Sequence, residues 1–158
     1  MDEKFSKIRL VVMDVDGTLT DGGIYIDSNG VESKKFNAKD GAGIVMARRA
    51  GMKFMILTGR SSRCVEIRAA ELGVDYLRQG EHDKLGFLTQ FLAEHDLTTD
   101  EVAYIGDDFN DLDCMGAVGL SACPSDAVAA VKSVCDLVLS TPGGRGAVRE
   151  LLDMMSVY

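Results

Sequence analysis

Short, nearly unbroken apolar runs alternate with longer amphipathic stretches from one end of the chain to the other. Ile8–Met13, Lys53–Leu57, Val102–Ile105, Val118–Ser121 and Leu137–Leu139 read as strands. Runs of that length with so few polar breaks suit parallel strands covered on both faces. A shorter run, Tyr76–Leu77, falls between two of them. Stretches around Ala42–Ala50, Ser62–Leu72, Lys84–His95, Asp111–Gly116, Asp126–Val131 and Ala147–Met155 read as helices, and Gly51 and Gly73 stand where left-handed caps would end two of them. The alternation predicts an α/β fold, doubly wound around a mostly parallel sheet.

One segment breaks the rhythm. GGIYIDSNGVESKKF, residues 22–36, alternates apolar and polar positions around Ser28-Asn29-Gly30, a sequence suited to a tight turn. It predicts a β-hairpin standing off the sheet. An isolated two-stranded hairpin is marginal in water, so the segment is either a surface excursion or part of an interface.

Composition narrows the picture without naming a chemistry. The 158 residues are 46% hydrophobic and 27% charged, as expected for one globular domain over residues 1–158. A net charge of −8 argues against nucleic acid or an anionic membrane as partner. The N-terminal stretch lacks an apolar segment long enough for a signal peptide or a membrane span. Cys64, Cys114, Cys123 and Cys135 are scattered, with no CxxC pair, which fits reduced thiols in the cytoplasm rather than disulfides or a zinc site.

The chemistry collects at the strand ends. In an open α/β sheet, ligands bind beyond the carboxyl ends of the strands. The first strand ends in Asp14-Val15-Asp16, the second in Thr58-Gly59-Arg60, and the VAYIG strand in Gly106-Asp107-Asp108 with Asp111 following. Lys84 comes between the last two, early in a helix. Two carboxylates about 4 Å apart repel by roughly 4 kcal/mol at a surface-like dielectric. So many acids on one edge are tolerable if a divalent cation sits among them, and an oxygen-only donor set favours Mg²⁺. The DxDG run also opens a calcium-binding EF-hand loop. Here, however, a strand precedes it, and Tyr25 stands at the twelfth position, where that loop needs glutamate.

DVDGT, LTGR, a lone lysine and GDDFND, in that order, resemble the four motifs of the haloacid dehalogenase superfamily of phosphohydrolases. The resemblance spans nearly the whole chain. It implies Asp14 as a nucleophile forming an aspartyl phosphate, and Asp16 as the acid and base that protonates the leaving oxygen and then deprotonates water. It implies that Thr58 hydrogen-bonds a phosphoryl oxygen and that Lys84 neutralises Asp14 and the transferring group. Mg²⁺ would be held by Asp14, the Asp16 carbonyl and Asp107, with Asp108 and Asp111 orienting metal waters and Lys84.

Many members of that superfamily carry an inserted cap domain, and this chain has room for none. Cover for the site is therefore expected from other subunits, in a homotetramer with the hairpin at the interface. VDGTLTDG, KKFNAKDGAGI, LTGRSS, YLRQGEHDK and GGRGAVRE are similar to the capless branch acting on 3-deoxy-D-manno-octulosonate 8-phosphate, an eight-carbon keto-acid phosphate of lipopolysaccharide synthesis. Such a substrate carries charge at both ends, so the site needs a cation away from the metal. Arg60 and Arg68 are candidates. Arg145 is another, on a GGRG segment expected to be a flexible element reaching a neighbouring site. Thr18 and Gly59 complete the expected substrate contacts. Only eight residues follow Glu150, so any C-terminal lid is expected to be short. Phosphatases of nine-carbon keto-acid 9-phosphates or of sugar phosphates broadly are the alternative reading. A phosphoacceptor receiver domain is a remote one, since there the acceptor aspartate belongs to a later strand.

Overall fold

A computed structural model describes residues 2–158. The elements, in chain order, are α1 (Asp2–Lys7), β1 (Leu10–Met13), β2 (Tyr25–Ile26), β3 (Glu32–Ser33), α2 (Ala38–Arg49), β4 (Lys53–Leu57), α3 (Arg63–Leu72), β5 (Tyr76–Arg78), α4 (Lys84–Glu94), β6 (Val102–Ile105), α5 (Leu112–Ala117), β7 (Leu120–Cys123), α6 (Ala129–Val134), β8 (Leu137–Val138) and α7 (Ala147–Met155). Six strands form one sheet in the order β5-β4-β1-β6-β7-β8. Every pairing within it is parallel.

The period-2 geometry of the strands sends alternate residues into two cores. Val11, Met13, Phe54, Ile56, Ala103 and Ile105 face α2, α3 and α7, while Leu10, Val12, Met55, Leu57, Val102 and Tyr104 face α4, α5 and α6. All twelve are essentially without solvent contact. This is why the strand sequences read as unbroken apolar runs rather than alternating ones. The chain winds from β1 out to β5, then returns through α4 to β6 on the other side of β1. The winding reverses between β1 and β6, which is where such sheets open a crevice.

Most boundaries fall within a residue or two of the sequence expectation, and the departures have local causes. The helix α1 was not anticipated. Asn37 accepts a hydrogen bond from the Lys39 amide at 2.8 Å and starts α2 four residues before Ala42. The strand expected at Val118–Ser121 lies at Leu120–Cys123, because Val118 still caps α5 through the Cys114 carbonyl. Pro124 and Ala127 form a turn that delays α6 to Ala129.

The expected hairpin is present. Tyr25 pairs with Ser33 and Ile26 with Glu32, antiparallel, and the Asp27 carboxylate accepts the Asn29 and Val31 amides at 2.8 Å to hold the turn. A single bridge, Thr20 to Phe36, closes its base.

Candidate active site

Three strand ends set the site. Met13 pairs with Ile56 on one side and Ile105 on the other. Asp14 therefore lies one residue beyond the last paired position, and Thr58 and Asp107 lie two beyond it. The chain then turns sharply at Gly17, whose φ of 94° is left-handed. A β-carbon there would come within 2.0 Å of Asp107 Oδ2, so only glycine lets the two acidic loops touch.

Lys84, the first residue of α4, is the hub. Its Nζ donates to Asp14 Oδ1 and Asp111 Oδ1, both at 2.8 Å, and its side chain is 2% exposed. Asp111 is spoken for by donors on both oxygens. Tyr104 Oη donates to Oδ1 at 2.6 Å, and the Asp107 and Asp108 amides donate to Oδ2 at 3.0 and 3.3 Å. Asp14, Asp107 and Asp111 each offer a carboxylate oxygen within 4.8 Å of the others.

The electrostatics of this cluster are unbalanced. Burial, reinforced by the charge of Asp111, raises Asp14 from 3.8 to about 6. Burial and then Asp14 raise Asp107 to about 8. One lysine cannot offset three crowded carboxylates. Because Asp111 is saturated by donors, Asp14 and Asp107 are the carboxylates left to meet a cation. Two carboxylates in an all-oxygen cradle fit a hard, hydrated divalent ion such as magnesium.

The remaining expected residues distribute as follows. Thr58 is buried at the end of β4, and Gly59 beside it approaches the Glu81 carbonyl, His82 and Asn110. Thr18 is buried and donates to Asp107 Oδ1 at 3.2 Å. Asp108 is exposed and caps the Phe109 amide at 2.7 Å. Lys84 is thus oriented by Asp111 rather than by Asp108. Arg60, half exposed, lies 3.7 Å from Glu32 of the hairpin. Arg68 turns away from the acidic cluster, pairing with Glu71 at 2.8 Å and lying over the Phe36 ring.

The GGRG segment corrects an expectation. It is not a loose element. The Gly144 amide donates to the Thr18 carbonyl at 3.0 Å, and a β-carbon on Gly143 would lie 1.8 Å from the Gly17 carbonyl oxygen. The segment braces its own chain's acidic loop, while α7 behind it buries Val148, Leu151 and Leu152. Arg145 itself is exposed beside Asp21.

Two participants were missed in the sequence. Tyr104 is a lone hydroxyl in an otherwise aliphatic strand, which was a usable signal. Lys34 comes from the end of the hairpin and pairs with Asp16 and, at 3.0 Å, with Glu32. Nothing in its local sequence distinguishes it from neighbouring Lys35.

A family profile described as haloacid dehalogenase-like hydrolase matches residues 77–151. The 3-deoxy-D-manno-octulosonate 8-phosphate phosphatase of Escherichia coli K12 is 43% identical over 96% of this chain and 81% of its own length. That of Haemophilus influenzae is 40% identical over 98% and 86%. Among solved structures, the same phosphatase from Yersinia pestis superposes with a TM-score of 0.95 at 40% identity, over 98% of this chain and 83% of that one. The Moraxella catarrhalis enzyme, in complex with magnesium, phosphate and KDO, gives 0.95 at 37% identity, over 98% and 88%.

Proposed function

The chain belongs to the haloacid dehalogenase-like hydrolases, among the phosphatases of 3-deoxy-D-manno-octulosonate 8-phosphate, and from that premise we propose that it hydrolyses this keto-acid phosphate through an aspartyl phosphate on Asp14. The observation that carries the reading is Lys84 bridging Asp14 and Asp111 in a buried cluster that also holds Asp107.

Asp14 attacks phosphorus, the bond to the sugar oxygen breaks, and that oxygen takes a proton from Asp16. Asp16 then accepts a proton from the water that attacks the aspartyl phosphate, which releases inorganic phosphate and restores Asp14. Lys84 offsets charge on the nucleophile and the transferring group, with Asp111 and Tyr104 holding its ammonium in place. Thr58 offers its hydroxyl at the phosphoryl oxygens, while the Thr18 hydroxyl holds Asp107. Magnesium, held by Asp14, Asp107 and the Asp16 carbonyl, would supply the positive charge that lets a carboxylate approach a phosphate dianion. Arg60, half exposed in the loop after β4 and 3.7 Å from Glu32, is the candidate cation for the substrate carboxylate.

The working form is a homotetramer in the cytoplasm. Ile24, Tyr25, Ile26 and Val31 of the hairpin are 44–59% exposed, an apolar cluster that a neighbouring subunit would cover. Among the described residues no helix is long and apolar enough to cross a membrane, and the four cysteines are free.

Phosphate release with magnesium, compared across the eight-carbon substrate, nine-carbon keto-acid phosphates, glucose 6-phosphate and p-nitrophenyl phosphate, tests the reading. The highest kcat/KM should belong to the eight-carbon substrate, and Asp14→Asn should abolish turnover while folding normally. A flat profile reduces the reading to a broad phosphatase. A folded Asp14→Asn protein with near-native rates removes the nucleophile.

A further inference from the structure

The Lys34 side chain is only 2% exposed, although it grows from the end of a surface hairpin. A desolvated ammonium is costly unless it is paired, and Lys34 pairs with Asp16 and Glu32. Burial opposes its charge, but the hydrogen bonds to the two carboxylates outweigh that and raise its pKa. Glu32 in turn lies 3.7 Å from Arg60, and its carbonyl meets Cys64 Sγ at 3.5 Å. The end of the hairpin therefore spans the mouth of the crevice, from the loop after β1 to the loop after β4 and the start of α3.

Asp16 has no comparable anchor elsewhere. Among the described residues, Lys34 is the one side chain that hydrogen-bonds its carboxylate. Asp14 is fixed by Lys84 and Asp107 by Thr18, yet Asp16 sits at a kink of the loop, its own backbone angles (φ −74°, ψ 109°) non-helical. We infer that Lys34 is a positioning residue for the leaving-group step, holding the Asp16 carboxyl where it meets the departing oxygen. The inference rests on the proposed roles of Asp14 and Asp16. It adds a function for the hairpin within its own subunit, separate from any interface. In the step concerned, the phosphorus–oxygen bond breaks as the Asp14–phosphorus bond forms, and the departing oxygen takes the Asp16 proton.

Leaving-group dependence isolates that role. kcat/KM reports steps up to departure of the alcohol and is blind to later hydrolysis of the aspartyl phosphate. A sugar or glycerol oxygen needs protonation to leave, whereas p-nitrophenolate does not. General acid catalysis is worth about 10²–10⁴-fold. Lys34→Met should therefore lower kcat/KM by about 10²-fold for both the eight-carbon substrate and glycerol 2-phosphate. For p-nitrophenyl phosphate the change should stay within about threefold, since no acid assistance is lost there. Lys34→Arg, which keeps the donor and the charge, should recover much of the difference.

Equal losses on all three substrates would mean a structural or phosphate-binding role and overturn the inference. Loss confined to the eight-carbon substrate would make Lys34 a sugar-acid contact and overturn it as well. If the unmodified protein releases phosphate from none of the esters, the hydrolase reading itself falls. Activity with a flat response to Lys34 leaves that reading standing and removes only this one.

Discussion

Two lysines with equally buried side chains, 2% exposed each, hold Asp14 and Asp16 in very different settings. Lys84 opens an eleven-residue helix whose Leu88, Phe91 and Leu92 are packed in the core, and its partners Asp14 and Asp111 are 7% and 0% exposed. Lys34 follows a two-residue strand, and its partners Asp16 and Glu32 are 21% and 25% exposed. Asp14, the proposed nucleophile, is thus built into the end of the sheet, while Asp16, the proposed acid, is held by an appendage. On the proposed roles, attack geometry would come from the buried sheet edge, and protonation geometry would depend on where the hairpin lies.

The comparison breaks first at Lys84. Lys84→Met leaves Asp14 and Asp111 buried without a counter-charge, which should destabilise the fold by about 3–5 kcal/mol and abolish turnover. Lys34→Met should cost about 1 kcal/mol or less, because water reaches its partners. Urea unfolding at constant m-value measures both. Equal costs would erase the distinction between the two halves.

A smaller effect appears with pH. A carboxyl raised in the folded state stabilises the fold fully below its unfolded value, near 3.8, and loses that contribution as pH rises through the folded value. The folded values are about 6 for Asp14 and about 8 for Asp107. In EDTA the melting temperature should therefore fall between pH 5 and 8. Magnesium should remove most of that decline. A remainder near pH 6 belongs to Asp40, likewise raised to about 6 by burial but lying under α7, where its Oδ1 accepts the Arg149 amide at 2.8 Å. A decline unaffected by magnesium would count against the cation reading of the cluster.

The smallest effect on the fold lies on the hairpin's outer face. Ile26→Asp, at a position 59% exposed, should change unfolding free energy by no more than about 0.5 kcal/mol. Sedimentation should nonetheless show the proposed tetramer replaced by smaller species. An unchanged tetramer would move the interface elsewhere.

The strands were legible because burial on both faces writes itself as apolar runs, and the helices because their periodicity and glycine caps are local. Gly17 and Asp107 were legible as motif residues, though their contact was not. The hairpin was readable from alternation around Ser28-Asn29-Gly30. Lys34 was not, since pairing across a turn of the chain leaves no mark on sequence spacing. The GGRG segment was misread as loose because glycine signals freedom and close approach alike. Here Gly143 and Gly144 serve close approach, pressing against the loop that carries Asp14 and Asp16.

From the sequence alone come the doubly wound sheet, the edge on which the acids gather and the order of the four motifs, because each depends on local pattern and on strand direction. Tertiary structure alone decided that Asp111 and Tyr104 fix Lys84, that Arg68 faces Phe36 and Glu71, and that a hairpin lysine meets Asp16. Apart from the Arg68–Glu71 pair, three residues apart on α3, those pairings cross 7 to 32 positions of chain. The physical reason is that a buried charge must find its partner in space, and no spacing rule along the chain records which one it finds.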